Sequence, residues 1–132
     1  MVDPLFLTLA EVIEIHSDQI HRYGGEEGVR DLGLLESAMA QPEATFGGAW
    51  LHGSLYEMAA AYAYHICQNH PFIDGNKRTA LASALVFLEI NSIGLLDPSG
   101  RLENAMFSVA SGKMTKQNLA KLLQSLPVEK SS

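Results

Sequence analysis

"MAAAYAYHICQNHPFIDGNKRTALASALVFLEI", residues 58–90, sets two apolar runs on either side of a short polar interruption. The first run, from Met58 to about Asn69, is rich in alanine and aromatics and has no polar stripe, the composition of a helix buried nearly all round. The second, "ALASALVFLEI", is equally apolar, and its Ala80, Ala82 and Ala84 are small enough to let another helix approach closely. Two such helices joined by a loop form the central layer of an all-α bundle, and the remaining segments read as its outer layer.

Working outward, "TLAE" at Thr8 to Glu11 is a capping box, a side-chain signature of a helix start. Val12, Ile13, Ile15 and Ile20 follow at roughly helical spacing until Gly24 and Gly25 stop the helix. Asp31 caps a second helix through Leu34, Leu35, Ala38 and Met39, which Pro42 ends. Residues 42–53, "PEATFGGAWLHG", carry turn formers and no clear period, so they form a loop or short hairpin. "SLYE" at Ser54 to Glu57 is a second capping box, opening the first central helix. "DPSG" at Asp97 to Gly100 is a turn, followed by a helix over Leu102, Ala105, Met106 and Val109 and another from a Thr115 cap over Leu119, Leu122 and Leu123 to Pro127. The expectation is one compact domain of about six helices over residues 1–126, with 127–132 a frayed tail.

Composition narrows the function classes. A chain of 132 residues with 47% hydrophobic content supports a single core. Nine Lys and Arg against fifteen Asp and Glu, a formal charge of −6, argue against a protein that grips nucleic-acid backbones or acts as a DNA-binding regulator. No apolar run reaches the length of a membrane span, and the N-terminal stretch is acidic where a secretory signal is basic, so the sequence reads as cytoplasmic with no membrane partner. The single Cys67 forms no internal disulfide and supports no thiolate zinc site; it reads as a small buried hydrophobe.

The polar interruption, "HPFIDGNKRTA" at 70–80, is the only dense cluster of reactive groups. Asn76 is a good N-cap, which places Lys77, Arg78 and Thr79 in the first turn of the second central helix. Two cations there oppose the helix dipole at about 0.3–1 kcal/mol each. A bound anion removes that conflict, because helix N–H groups and the Arg78 side chain would converge on one phosphate. Gly75 permits close backbone approach or positive φ. Asp74 beside an anion is repulsive unless a divalent cation lies between them, as Mg²⁺ does in phosphoryl chemistry. Histidine is the side chain most often used as a general base, and His70 suits that role for a hydroxyl attacking phosphorus.

The same residues resemble the signature of the Fic/Doc (Fido) family, His-x-Phe-x-Asp/Glu-Gly/Ala-Asn-x-Arg, at His70, Phe72, Asp74, Gly75, Asn76 and Arg78. "HRYGGEEGVRDLGLLESAMAQP", residues 21–42, resembles the N-terminal segment of its death-on-curing branch, the Doc toxins. The residue before the motif arginine is glycine in most AMP-transferring members and lysine in the Doc branch; here it is Lys77. The resemblance implies a helical Fido fold and a toxin held by a separate antitoxin. It implies His70 as base, Asp74 as Mg²⁺ ligand, and Phe72, Gly75, Asn76, Lys77 and Arg78 as contacts to ATP. It further implies γ-phosphate transfer to a hydroxyl of a translation factor, elongation factor Tu being the usual target. AMP transfer by the same site stays open, since Gly75 matches the AMP-transferring motif where Doc has alanine. A non-catalytic nucleotide-binding module stays open as well.

Residues 42–53 fall where the family has a flap that aligns the target, which makes Phe46 and Trp50 candidates for docking it or, equally, core aromatics beneath a loop. "SGRLEN" at 99–104 formally fits the family's self-inhibitory pattern, but in a packing helix a separate antitoxin is the better expectation. His16, His21, His52 and His65 lack metal-ligand spacing and read as structural.

Overall fold

Where the sequence offers a hydroxyl or carboxylate cap, a helix begins. A computed structural model describes residues 3–129. Its first helix, α1 (Leu9–Tyr23), opens on the complete capping box: Thr8 Oγ1 accepts the Glu11 N–H at 3.1 Å, and Glu11 Oε1 accepts the Thr8 N–H at 2.8 Å. Asp31 caps α2 (Leu32–Ala40) through the Leu34 N–H at 3.0 Å, and Thr115 caps α6 (Lys116–Ser125) through the Asn118 N–H. Ser54 caps α3 (Leu55–Asn69), but Glu57 reaches past it to the Gly53 N–H at 2.8 Å, so the second capping box is only half formed. Asp97 opens α5 (Arg101–Ala110), its two oxygens accepting the N–H groups of Arg101 and Leu102.

The remaining helix is α4 (Asn76–Ile90), and with α3 it forms the expected central layer. Helices α2, α5 and α6 pack on α3, while α1 and α5 pack on α4. Ala59, Ala60, Ala61, Ala80 and Ala84 are wholly buried between the layers, where a larger side chain would force the backbones apart. Phe87 anchors one end, 5.1 Å from the Tyr62 ring and stacked at 5.8 Å on Phe6. Tyr62 accepts the Leu7 N–H through its hydroxyl, and burial pushes its phenol up to about 12.

Residues 42–53 contain a hairpin of β1 (Thr45–Phe46) and β2 (Ala49–Trp50), with Thr45 opposite Trp50. Its turn is Gly47-Gly48, both at positive φ, which a tight two-residue hairpin requires. The two aromatics divide: Trp50 packs edge-on against Phe6 at 5.4 Å, whereas Phe46 is 82% exposed. Pro127 to Glu129, expected to fray, instead pair with Gly94 to Leu96, with Leu95 bridged to Val128. The last residues of the expected tail, 130–132, lie outside the described residues.

Candidate active site

The loop between α3 and α4 is shaped by what its side chains bond at either end. His70 closes α3 in the left-handed conformation (φ 50°, ψ 53°), a state that strains a residue with a Cβ by about 1–3 kcal/mol. Its ring is exposed at the loop's edge, and its carbonyl accepts the Arg30 Nε–H at 2.8 Å. Pro71 O takes the backbone N–H groups of Arg30 and Asp31, and Ile73 N–H bonds Gly28 O. The α1–α2 linker, residues 24–31, therefore lies along the loop as a second rail.

At the other end, Asn76 is not the N-cap of α4. The cap is Gly75, in the left-handed conformation (φ 73°) and without a side-chain bond to the helix. A Cβ on Gly75 would stand 3.0 Å from Ile20 Cδ1, a tight approach to the tip of that side chain, and glycine suits the positive φ here. The Asn76 amide instead closes on Phe72, accepting its N–H and donating to its carbonyl, each at 2.9 Å. A side-chain amide four residues downstream competes for the same helix-start geometry, and here it braces the loop. The first helical bond is Thr79 N–H to Gly75 O, which leaves the N–H groups of Asn76, Lys77 and Arg78 without helical partners.

Phe72, expected among the nucleotide contacts, is fully buried. Its bridge to Val29 turns the ring inward, where it stacks on His16 at 3.9 Å and an interplanar angle of 5°. Phe72 therefore anchors the loop from beneath. His16 Nε2–H in turn donates to Asp74 O at 2.8 Å. Val12, His16 and Ile20 share the buried face of α1, and a histidine at a core position of that stripe was the available signal for this link.

Asp74 is exposed, with its carboxylate fixed at both oxygens: Oδ2 accepts the Glu26 N–H at 3.1 Å and Oδ1 the Gly75 N–H at 2.8 Å. The Glu26 bond, then the Gly75 bond, and the nearby Arg78 and His16 hold its carboxyl below the usual carboxylate range. A Cβ on Gly25 would fall 2.7 Å from Asp74 Oδ2, so this approach exists only because Gly25 has none. Lys77 and Arg78 splay to opposite walls. Arg78 Nη2 donates to Gly24 O at 3.1 Å with its guanidinium 5.6 Å from the Tyr23 ring, while Lys77 Nζ stands 5.4 Å from the Phe107 ring on α5.

Between those walls lies a cleft of about 790 Å³. His70, Asp74, Gly75, Asn76, Lys77 and Arg78 all line it, joined by Tyr23 of α1 and by Glu103 and Phe107 of α5. The structure thus gathers the sequence-predicted residues in one place, with Phe72 the exception. Cys67 is buried as expected and contributes to the cleft floor. Glu103, from the "SGRLEN" segment, lines the cleft, and the ion pairs among the described residues, Arg22–Asp18 and His21–Glu27, do not include it. Each Asp74 oxygen accepts a single hydrogen bond and the residue lines the cleft, and no group of three metal-ligating side chains gathers among the described residues. Such a site fits Mg²⁺ held by one carboxylate together with substrate phosphates, the usual arrangement for that ion.

A model of the Fic/DOC family matches residues 6–88, from α1 through most of α4 and across the whole cleft loop. The chain belongs to the Fic/Doc family. The six helices and small hairpin of the described residues are the all-α Fido fold. The chain is similar to toxin Doc of Mycolicibacterium smegmatis, 48% identical over 73 residues that make up 55% of this chain and 56% of that protein. It is also similar to protein kinase doc of Escherichia phage P1, 34% identical over 116 residues, 88% of this chain and 90% of that one. The chain spans little more than half of the first relative and nearly all of the second. Any 116-residue span of this Fic/Doc chain includes residues 17–116, so the longer similarity takes in the loop and the α5 wall. No helix among the described residues is long and apolar enough to cross a membrane.

Proposed function

We propose that the protein is the toxin of a toxin–antitoxin pair, a cytoplasmic enzyme that transfers the γ-phosphate of ATP to a hydroxyl of a translation factor such as elongation factor Tu. The observation that carries this reading is the convergence of His70, Asp74, Gly75, Lys77 and Arg78 on one cleft at the N-terminus of α4. The names of its relatives, a toxin and a protein kinase, support the same reading.

In this scheme the unpartnered N–H groups at the start of α4, with Lys77 and Arg78, receive the triphosphate and balance its charge. Arg78 gives up Gly24 O for a phosphate oxygen, a stronger charge-assisted bond. Asp74 is ionised and rigid, and with the phosphates it would hold Mg²⁺, which supplies neutralisation of the charge that builds on the departing oxygens. His70 accepts the proton of the target hydroxyl as that oxygen bonds the γ-phosphorus; the bond to the β–γ bridging oxygen breaks and its electron pair leaves with ADP. Asn76 contributes its backbone N–H, its side chain being committed to Phe72.

AMP transfer is the second reading, favoured by Gly75. ATP labelled at the α or the γ position, offered with bacterial lysate, separates the two: label moving only from the α position overturns the kinase reading. His70→Ala separates both from a non-catalytic nucleotide-binding module. Removal of a general base lowers the rate by about 10²–10⁴-fold, so an unchanged rate removes the catalytic reading. A separate antitoxin would occupy the cleft region and present an acidic side chain to Arg78.

A further inference from the structure

Arg30 lies outside the motif, yet its side chain bonds the carbonyl of the motif histidine, whose own N–H bonds Ile66 O. Its Nε–H donates to His70 O at 2.8 Å and its Nη2 to Asn69 O at 3.2 Å, across about forty positions of sequence. These are terminal carbonyls of α3, which have no helical donor and carry partial negative charge, so a guanidinium suits them. His70 is one of two non-glycine residues at positive φ among the described residues, and a residue preceding proline is further restricted towards extended backbone. Its local preference is therefore to leave the conformation that turns its ring to the cleft. The backbone bonds of Arg30 and Asp31 to Pro71 O fix the next residue but not the His70 carbonyl. Asn69 is tied from its own side chain, its Nδ2 donating to Leu34 O, which leaves the Arg30 fork as the tie on His70 O.

We infer that Arg30 is a positioning residue for the phosphoryl-transfer reaction: by clamping the carbonyls of Asn69 and His70 it keeps His70 left-handed and its imidazole aimed into the cleft. The inference rests on the proposed role of His70 as general base. A lysine cannot reproduce it, because a single ammonium lacks the planar fork that meets two carbonyls at once. Misplacement of a catalytic group by about an ångström lowers turnover up to about 10²-fold without altering how substrate is held.

The test compares wild type, Arg30→Ala, Arg30→Lys and His70→Ala in label transfer from ATP to acceptors in bacterial lysate. It is paired with the backbone coupling constant and Cα shift of His70 by NMR, which report its φ without reference to activity. For Arg30→Ala the expected result is a kcat reduced by about 10–10²-fold, a KM for ATP within about threefold of wild type, and a His70 that has left the left-handed region. Arg30→Lys retains the fold and falls between, so a poorly folding alanine variant does not end the test. Wild-type kcat in both Arg30 variants, or a rise in KM alone, overturns the role of Arg30 while an inactive His70→Ala leaves the proposed function standing. Full activity in His70→Ala, or no transfer by wild type, removes the proposed function and this inference with it.

Discussion

Acidification weakens this fold through His65, and replacing that residue isolates the effect. His65 is half-buried on α3, with Nε2 3.1 Å from Lys116 Nζ at the start of α6 and the Tyr64 ring edge-on at 5.2 Å. Burial first, then the Lys116 cation and His52, pull its pKa from 6.5 to about 4. The neutral ring accepts a hydrogen bond from Lys116, whereas the protonated ring would face an ammonium with nothing between. Because the folded value lies below the unfolded one, the unfolded chain takes up the proton first. The stabilisation is therefore complete above 6.5 and drains away as the pH falls from 6.5 to about 4. At about 1.4 kcal/mol per pH unit that interval sets a ceiling of roughly 3 kcal/mol, and partial contact of the ring with water reduces the expected loss to about 1–2 kcal/mol. Urea unfolding followed by circular dichroism between pH 7.5 and 4.5 measures it in wild type and in His65→Gln, whose amide still accepts from Lys116 but does not titrate. Carboxylate titrations are common to both proteins and cancel in the difference. Equal pH slopes for the two would refute the reasoning.

Phe72→Ala empties a fully buried ring site against His16 and is expected to remove about 3–5 kcal/mol, lowering the calorimetric midpoint by about 10–20 °C; a change under about 1 kcal/mol would mean the ring is no anchor. Gly25→Ala drives a methyl group against Asp74 Oδ2 at a backbone φ of 123°, with an expected loss of about 1–3 kcal/mol and a higher Mg²⁺ requirement for label transfer, both read by titration; unchanged Mg²⁺ dependence would detach Asp74 from the ion. Phe46→Ala leaves stability within about 0.5 kcal/mol, being a surface change, yet raises the KM for the protein acceptor. Equal KM values for Phe46→Ala and wild type would remove the hairpin tip from target docking.

Much of the fold could be read from contiguous sequence because its signals act within about four residues. Thr8 with Glu11, Asp31, Ser54 and Thr115 each satisfy a nearby helix N–H, and the two alanine-rich runs declare their burial by having no polar stripe. The reactive cluster at 70–78 was legible for the same reason: most of its members lie within one loop and one helical turn. The errors arose where two local choices were nearly equivalent. Asn76 had the chemistry of a cap and used it on Phe72 four residues earlier, and Glu57 bonded Gly53 in place of Ser54.

What tertiary structure alone decided is how that loop is held. His16 meets Asp74, Arg30 meets His70, the Glu26 backbone meets the Asp74 carboxylate and Arg78 meets Gly24, each across roughly forty to sixty positions. None of these pairs carries a mutual signal in the sequence, since a buried histidine or an exposed arginine is compatible with many partners. They exist because the packing of α1 on α4 brings the 24–31 linker alongside residues 70–75, and backbone groups left unpaired there must find donors or acceptors nearby. The sequence by itself determined which chemical groups would be gathered at the head of α4; the fold determined which of them face the cleft and which lie beneath it holding the others in place.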